Sequence, residues 1–205
     1  MDNNTVSKVV LEVPDVAGAE AFYQAFGVRE YVDLRPATDP SEGFRGFSIS
    51  LVCPQPGNVD ALLDAALAAG ASTLKPAAKS FWGYGGVVQA PDGTIWKVAA
   101  SSKRDKAPAA PTFEDVVLLL GVDDVRATKQ FYADRGLPVA KSFGGKYVEF
   151  AAAPVKIALY PRRAAAKDAG VPADGTGSHR LAVVGGLGDF RDPDGYVWET
   201  GQSAG

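Results

Sequence analysis

Apolar and polar positions at the start of the chain predict a β-strand followed by a helix. Residues 6–13 (VSKVVLEV) are rich in β-branched side chains and end at Pro14, which cannot continue a central strand. Asp15 then stands where a helix N-cap belongs, and Gly27 stands where the helix would end. Between them, apolar side chains recur at helical spacing at Ala19, Phe22, Tyr23 and Phe26.

The rest of the first half predicts further strands, one loop and a second helix. That helix is predicted to begin with Asn58 as its N-cap and to end at Gly70. Its apolar stripe consists of Val59, Leu62, Leu63, Ala66 and Leu67. The predicted strands are 28–34, 44–53, 72–75, 84–89 and 94–99, with a loop at 35–43 (RPATDPSEG).

The same pattern then occurs a second time. Residues 101–112 (SSKRDKAPAAPT) are polar, charged and proline-bearing, which is typical of an interdomain linker. Two pairs of segments match in spacing across it, DVAGAEAFY (15–23) with DVRATKQFY (124–132) and PDGTIWK (91–97) with PDGYVWE (193–199). Self-similarity at a period of about a hundred residues indicates a duplicated domain. We therefore predict domains at 1–100 and 113–205.

The second half otherwise predicts short strands and one further helix. The predicted strands are 113–122, 138–143, 146–151, 155–160 and 179–184, with a capped helix after Asp124 that ends at Gly136. Residues 162–169 (RRAAAKDA) predict a helix without an apolar stripe, which we expect to be exposed. Residues 170–178 are predicted to be a loop, and 185–188 (GGLG) a turn that leaves no room for another helix.

Composition and charge narrow the choice of partners. The net charge is −3, and this argues against nucleic acid, which needs a basic surface. The lone Cys53 has apolar neighbours, so we predict a buried structural thiol rather than a reactive nucleophile. No membrane span and no signal peptide are apparent, so we expect a cytoplasmic protein without a membrane partner. A homodimer stays possible.

These motifs in this order resemble the vicinal oxygen chelate superfamily, which includes glyoxalase I, extradiol dioxygenases and bleomycin resistance proteins. The resemblance covers nearly the whole chain and implies an α+β fold of tandem βαβββ modules that form two glyoxalase-like domains. We expect the first module to be abbreviated, without its third and fourth strands, and the fourth module to lack its helix. The cup that holds a ligand in this family would then be narrowed, or assembled across the two halves.

The resemblance also implies a metal site in the second half. Family ligands lie on the first strand of each module and on the last strand, and these positions correspond to His179, Glu199 and Asp115, with Glu114 as the register alternative to Asp115. One imidazole and two carboxylates suit one divalent metal such as Mn, Fe, Ni, Zn or Mg. Binding without any metal is equally compatible with the sequence, with the histidine at the surface and the glutamate in an ion pair.

The first half carries different residues at the matching positions. These are Lys8, Ser48 or Ser50, and Lys97, and lysines would repel a metal ion but could pair with an anionic ligand. Aromatic side chains among glycines at Phe81, Trp82 and Tyr84 could wall a small-molecule site, or could fill the cup as core.

Two functions therefore stay open. In the first, the protein binds a small organic molecule, aromatic or polycyclic, in its cupped sheet and sequesters it, as resistance proteins of the family do. The alternative is a metal-dependent lyase, isomerase or dioxygenase in which the metal polarises vicinal oxygens of the substrate.

Overall fold

The strands of the chain pair into one long sheet and one short ribbon. The computed structural model describes residues 4–81 and 83–201, and within them thirteen strands form the sheet and two form the ribbon. The strands are β1 (Thr5–Val13), β2 (Val32–Pro36), β3 (Ser41–Gly43), β4 (Phe47–Cys53), β5 (Ser72–Ser80), β6 (Gly83–Gln89), β7 (Ile95–Ala100), β8 (Asp115–Val122), β9 (Val139–Ser142), β10 (Val148–Phe150), β11 (Ala153–Pro161), β12 (Gly175–Gly177), β13 (Leu181–Gly185), β14 (Phe190–Arg191) and β15 (Val197–Thr200).

Four helices accompany the strands, as the predicted α+β class requires. They are α1 (Val16–Phe26), α2 (Pro56–Ala68), α3 (Val125–Asp134) and α4 (Arg162–Ala169). The predicted caps of α1 and α3 are confirmed, because Asp15 Oδ1 accepts from Gly18 N at 3.1 Å and Asp124 Oδ1 accepts from Arg126 N at 2.9 Å. In residues 4–81 and 83–201, none of the helices could cross a membrane.

The predicted cap of α2 is wrong. The helix begins at Pro56 after Gln55, and Asn58 lies buried inside it, where its side-chain amide donates to Thr112 Oγ1 at 2.8 Å. Gly57 N, an amide in the first turn, donates instead to the carboxylate of Asp105 at 2.6 Å. Residues of the predicted linker therefore bind the start of α2 and hold it against the sheet.

Two units of the sheet have a complete strand order. In the second unit, β4 pairs in parallel with β7, which is followed by β6 and β5. In the third, β8 pairs in parallel with β11, which is followed by β10 and β9. Each unit carries one helix between its first two strands, α2 or α3.

The first and fourth units are shorter. In the first, β2 pairs in parallel with β1, as the last strand of a complete unit pairs with its first. The strands that are missing are therefore the two middle ones, and not the third and fourth as the sequence suggested. The fourth unit contains β13, β15 and β14, with no helix among its described residues.

The units pair across the two halves of the chain. β4 runs antiparallel to β8, which joins the second unit to the third, and β1 runs antiparallel to β13, which joins the first to the fourth. A short parallel contact between β1 and β11 links the two pairs. The domain boundary at 101–112 stays a prediction from the sequence repeat. The sheet surfaces that could hold a ligand are formed by units that pair across this boundary.

A matched pair of buried tyrosines ties α1 and α3 to the turns before the last strands. Tyr23 donates to the Asp92 carboxylate at 2.7 Å, and Tyr132 donates to the Asp192 carboxylate at 2.6 Å. Burial is the main cause that raises the pKa of both tyrosines, and it also raises the pKa of Asp192. The apolar residues predicted at helical spacing in α1 are all buried, and Tyr23 among them also supplies a polar anchor.

Helix α4 contradicts the prediction that it is exposed. It lies on the face of the sheet opposite α1, α2 and α3, which we call the inner face, and Ala165, Ala166 and Ala169 are 1–3% exposed there. They pack with Leu119 of β8 and Ala158 of β11. Alanine adds little to an apolar stripe, so the sequence pattern misses this face, but its small side chain lets a helix lie close to the sheet.

Two lysines hold the C-terminal end of α4. Lys75 Nζ donates to the carbonyl oxygens of Lys167 and Asp168 at 2.6 and 2.7 Å, and Lys97 Nζ pairs with the Asp168 carboxylate at 2.6 Å. Cations at the C-terminal end of a helix complement its exposed carbonyl groups and its dipole. Helix α4 therefore fills the inner face of the second and third units, which we call the filled cup.

Replacing Ala166 with Glu should destabilise the fold, whereas the same change at Ala164 should not. Residue 166 is buried against the sheet and residue 164 of the same helix is exposed. Burying an unpaired carboxylate costs about 3 kcal/mol or more, and an exposed substitution about 0.5 kcal/mol or less. Urea unfolding of both variants measures the difference, and equal stabilities would show that α4 does not pack on the sheet.

Candidate functional site

Among the described residues, the inner face of the first and fourth units carries charged side chains and no helix. Residues on β1 alternate between Val9, Leu11 and Val13 in the core and Lys8, Val10 and Glu12 on the inner face. The same alternation places Arg35 of β2 and Glu199 of β15 on this face. We call this surface the open cup.

The open cup contains a cavity of about 560 Å³. Its charged and polar lining includes Glu12, Arg35, Asp39, Ser178, His179, Arg191, Asp194 and Glu199. Such a volume suits a small organic molecule, and convergent polar groups are what fixes the orientation of a ligand.

Arg35 joins two carboxylates at the centre of this lining. Its Nη2 lies 2.8 Å from Glu12 Oε1, and its Nη1 lies 2.8 Å from Glu199 Oε1. Burial alone would lower the pKa of Arg35, but hydrogen bonds to Glu199 and Glu12 outweigh it and raise that pKa. The predicted site residue Glu199 is thus an ion-pair partner of an arginine.

His179 borders the same cavity, but both of its ring nitrogens face backbone carbonyl oxygens. Nδ1 lies 2.5 Å from the oxygen of Arg45, and Nε2 lies 3.0 Å from that of Asp194. The ring also stacks on Tyr196 with centroids 4.1 Å apart. Because a carbonyl oxygen lies along the direction of each ring nitrogen, the directions in which a metal would bind are occupied.

Arg45 makes the matching contact in the first half. It lies two residues before β4, as His179 lies two residues before β13, and its Nη2 donates to the carbonyl oxygen of Asp92. The β3–β12 ribbon pairs Gly43 with Gly175 between these two segments. His179 and Arg45 are therefore equivalent tethers from the ribbon to the turns, so a structural role explains the histidine.

Asp115 lies away from the other two predicted metal ligands. It begins β8, where its Oδ2 pairs with Lys156 Nζ at 2.7 Å, and it does not line the open cup. Its neighbour Glu114 precedes the strand, and its N–H donates to the oxygen of Val52. Across the described residues, 4–81 and 83–201, no three His, Cys, Asp or Glu side chains are grouped as metal ligands would be.

The predicted ligand set therefore does not fit a divalent metal. His179 has both nitrogens against carbonyl oxygens, Glu199 is paired with Arg35, and Asp115 is paired with Lys156. A guanidinium between Glu12 and Glu199 supplies the positive charge in the open cup. Two of the three predicted residues, His179 and Glu199, do line one cavity, but their contacts are not those of metal ligands.

The lysines predicted to meet an anionic ligand are paired as well. Lys8 lies 3.1 Å from the Asp33 carboxylate on the neighbouring strand, outside the lining of the cavity. Lys97 is bound to Asp168 of α4 in the filled cup. Lys97 nevertheless borders a separate cavity of about 360 Å³ beside the end of α4.

Of the predicted aromatic wall, Tyr84 borders the cavity beside the end of α4 and Phe81 does not. Phe81 is 83% exposed, with Lys103 Nζ 5.9 Å from its ring centre. Tyr84 donates to Asp60 of α2 at 2.7 Å, and this hydrogen bond, with some burial, raises the pKa of Tyr84 to about 12. Trp82 lies outside the described residues. Cys53, in contrast, is buried as predicted, and burial raises its pKa to about 12.

Sequence reasoning missed Glu12 and Arg35, the centre of the open cup. Glu12 has a visible signal, since it continues the polar face of β1 after Lys8. Arg35 was assigned to a loop, whereas it lies on β2 directly opposite Glu12. Only the pairing of β1 with β2 and β13 shows that Glu12, Arg35 and Glu199 meet.

Solved structures of similar fold exist. Glyoxalase I from Zea mays matches with a TM-score of 0.59 and 14% identity, over 95% of this chain and 90% of that chain. A protein from Bacillus subtilis subsp. subtilis str. 168 matches with a TM-score of 0.53 and 12% identity, over 88% of this chain and 70% of that chain. No protein-family model and no curated protein matches the chain. At these identities the similarity shows the fold.

Replacing His179 with Ala should weaken the fold without any metal being involved. The change leaves the carbonyl oxygens of Arg45 and Asp194 without their partner, which costs about 2 kcal/mol. A chelator should leave the thermal midpoint of the wild type unchanged. Calorimetry with and without chelator checks both expectations, and a midpoint that falls on chelation of the wild type would restore the metal hypothesis.

Proposed function

Because the chain has the fold of the vicinal oxygen chelate superfamily, we propose that it binds a small polar organic molecule in the open cup and sequesters it. The observation that supports this proposal is the contrast between the two cups. Helix α4 packs on one inner face and leaves a cavity of about 360 Å³ beside its end, whereas the other inner face keeps a cavity of about 560 Å³ lined by Glu12, Arg35 and Glu199.

The lining favours a neutral or cationic molecule over an anion. Glu12, Asp39, Asp194 and Glu199 contribute four carboxylates, against the guanidinium groups of Arg35 and Arg191. A ligand with both donor and acceptor groups could replace water on the exposed edges of these side chains. This differs from the flat aromatic ligand suggested by the sequence, because Phe81 and Tyr84 do not line the cavity.

We do not propose the metal-dependent lyase, isomerase or dioxygenase that the sequence left as the alternative. That function would need three ligands around one ion, but Asp115 does not line the open cup, Glu199 is paired with Arg35, and both ring nitrogens of His179 face carbonyl oxygens. No catalytic step through a metal is therefore derived for this chain.

A screen of small polar compounds by amide chemical shifts tests the proposal. Bound compounds should shift amides of Glu12, Arg35 and residues 197–200, which surround the cavity, and not those of β8 and β11. Arg35→Met should weaken such binding at least about tenfold, the effect expected for a lost hydrogen bond to a charged group. Arg29→Met is the matched control, because Arg29 pairs with Glu20 and does not line the cavity.

Three results would contradict the proposal. Compounds could shift only amides of the filled cup, Arg29→Met could weaken binding as much as Arg35→Met, or no compound of a broad polar panel could bind.

A further inference from the structure

A second cavity, of about 280 Å³, lies next to the segment that borders the open cup. It shares Gly177, Ser178, His179 and Asp194 with the open cup, but it is otherwise lined by different residues. These include the guanidinium-bearing residues Arg45 and Arg162 and the hydroxyl-bearing residue Thr176. We call this space the arginine cavity.

Neither arginine of this cavity is paired with a carboxylate. Among the described residues, Arg162 Nη2 donates to the carbonyl oxygen of Phe44 at 2.8 Å, and Arg45 Nη2 donates to that of Asp92. No ion pair is formed by either side chain in residues 4–81 and 83–201, whereas Arg29 and Arg35 both have carboxylate partners. Each guanidinium has five N–H donors, so each keeps donors for a ligand.

A third arginine adds to the positive charge. Burial and the charge of Arg180 lower the pKa of Arg45, although the carboxylate of Asp92 acts in the opposite direction. Arg180 Nε is buried without a hydrogen-bond partner in the part of the chain that is described. Its backbone φ of 52° is costly for a side chain other than glycine, and the equivalent position before β4 is Gly46 with φ of 90°.

The basic groups converge around Gly46. A Cβ atom placed on this glycine would lie 2.7 Å from Arg162 Nη1 and 3.1 Å from His179 Nδ1. Gly46 therefore leaves the space in which the arginine head group lies. A side chain at this position would displace it from the cavity wall.

Two carboxyl-bearing residues, Asp123 and Asp194, also line the cavity, and neither is paired with its arginines. Asp194 accepts from Asp123 N at 2.7 Å and from the Thr128 hydroxyl at 2.8 Å, so both its oxygens are engaged toward the start of α3. Asp123 is exposed and forms no ion pair with a described residue. The two arginines and the two aspartates of the lining therefore balance in formal charge, but the arginines keep N–H donors that no carboxylate takes up.

We propose that the arginine cavity binds a phosphate group, either free or as part of a small phosphorylated molecule. Two guanidinium groups without acidic partners match a dianion better than a single carboxylate, and the planar fork of arginine suits its oxygens. The hydroxyl groups of Thr176 and Ser178 add donors at the same wall. This site does not depend on the ligand of the open cup.

Titration with inorganic phosphate, followed by amide chemical shifts at constant ionic strength, tests the proposal. Phosphate should bind saturably and shift the amides of residues 175–178, and acetate should bind at least about tenfold more weakly. Arg162→Gln should weaken phosphate binding at least about tenfold. Arg163→Gln is the matched control, since it removes the same charge from the same helix at an exposed position that does not line the cavity, and it should change binding less than about threefold.

Arg162→Lys is a second variant in case Arg162→Gln fails to fold. Lysine keeps the positive charge but lacks the planar guanidinium donors, so this variant should bind phosphate with intermediate affinity. The proposal is overturned if phosphate shows no saturation, if Arg163→Gln loses as much affinity as Arg162→Gln, or if acetate binds as well as phosphate. Circular dichroism of each variant confirms that the comparison is made between folded proteins.

Discussion

Helix α4 packs three alanine side chains against the sheet, and the placement of every candidate site depends on this contact. Ala165, Ala166 and Ala169 are buried with Leu119 and Ala158, and a Cβ on Gly121 would lie only 3.2 Å from that of Ala165. The close approach leaves no room for a larger side chain at these positions. With α4 on one inner face, the cavity of about 560 Å³ lies on the opposite pair of units.

Because units pair across the two halves of the chain, the charged residues of the open cup come from both halves. The first strand of the chain lies beside β13 from its end, so Glu12 and Arg35 meet Glu199 although they are far apart in sequence. Lys97, which stands at the position equivalent to Glu199, is bound by Asp168 of α4. The two cups share a plan of strands but differ in charge, and one carries an ion-pair network where the other carries a helix.

The equivalent contacts of Arg45 and His179 show that these repeated positions have a structural role. Arg45 and His179 occupy equivalent positions and reach the carbonyl oxygens of Asp92 and Asp194. The resemblance assigned His179 to a metal because of its position on the first predicted strand of its module, but its counterpart Arg45 shows that the position needs a donor directed at the turn. Arginine and imidazole both supply one.

Local features could be predicted from the sequence, and contacts between distant segments could not. Asp15 and Asp124 cap their helices as expected, because a cap depends on a few neighbouring residues. The order of β1, β2 and β13 depends on long-range pairing, so neither the meeting of Glu12 with Arg35 nor the separation of Asp115 from His179 could be inferred. The burial of α4 was missed because three alanines give almost no apolar signal.

Amide hydrogen exchange of residues 162–169 tests the central claim most directly. If α4 fills the inner face of the second and third units, its amides should exchange as slowly as those of the neighbouring strands β8 and β11, because they open only when the sheet does. If these amides instead exchange at the rate of a short solvated helix while β8 and β11 stay protected, the account is contradicted. The filled cup would then be a candidate ligand site.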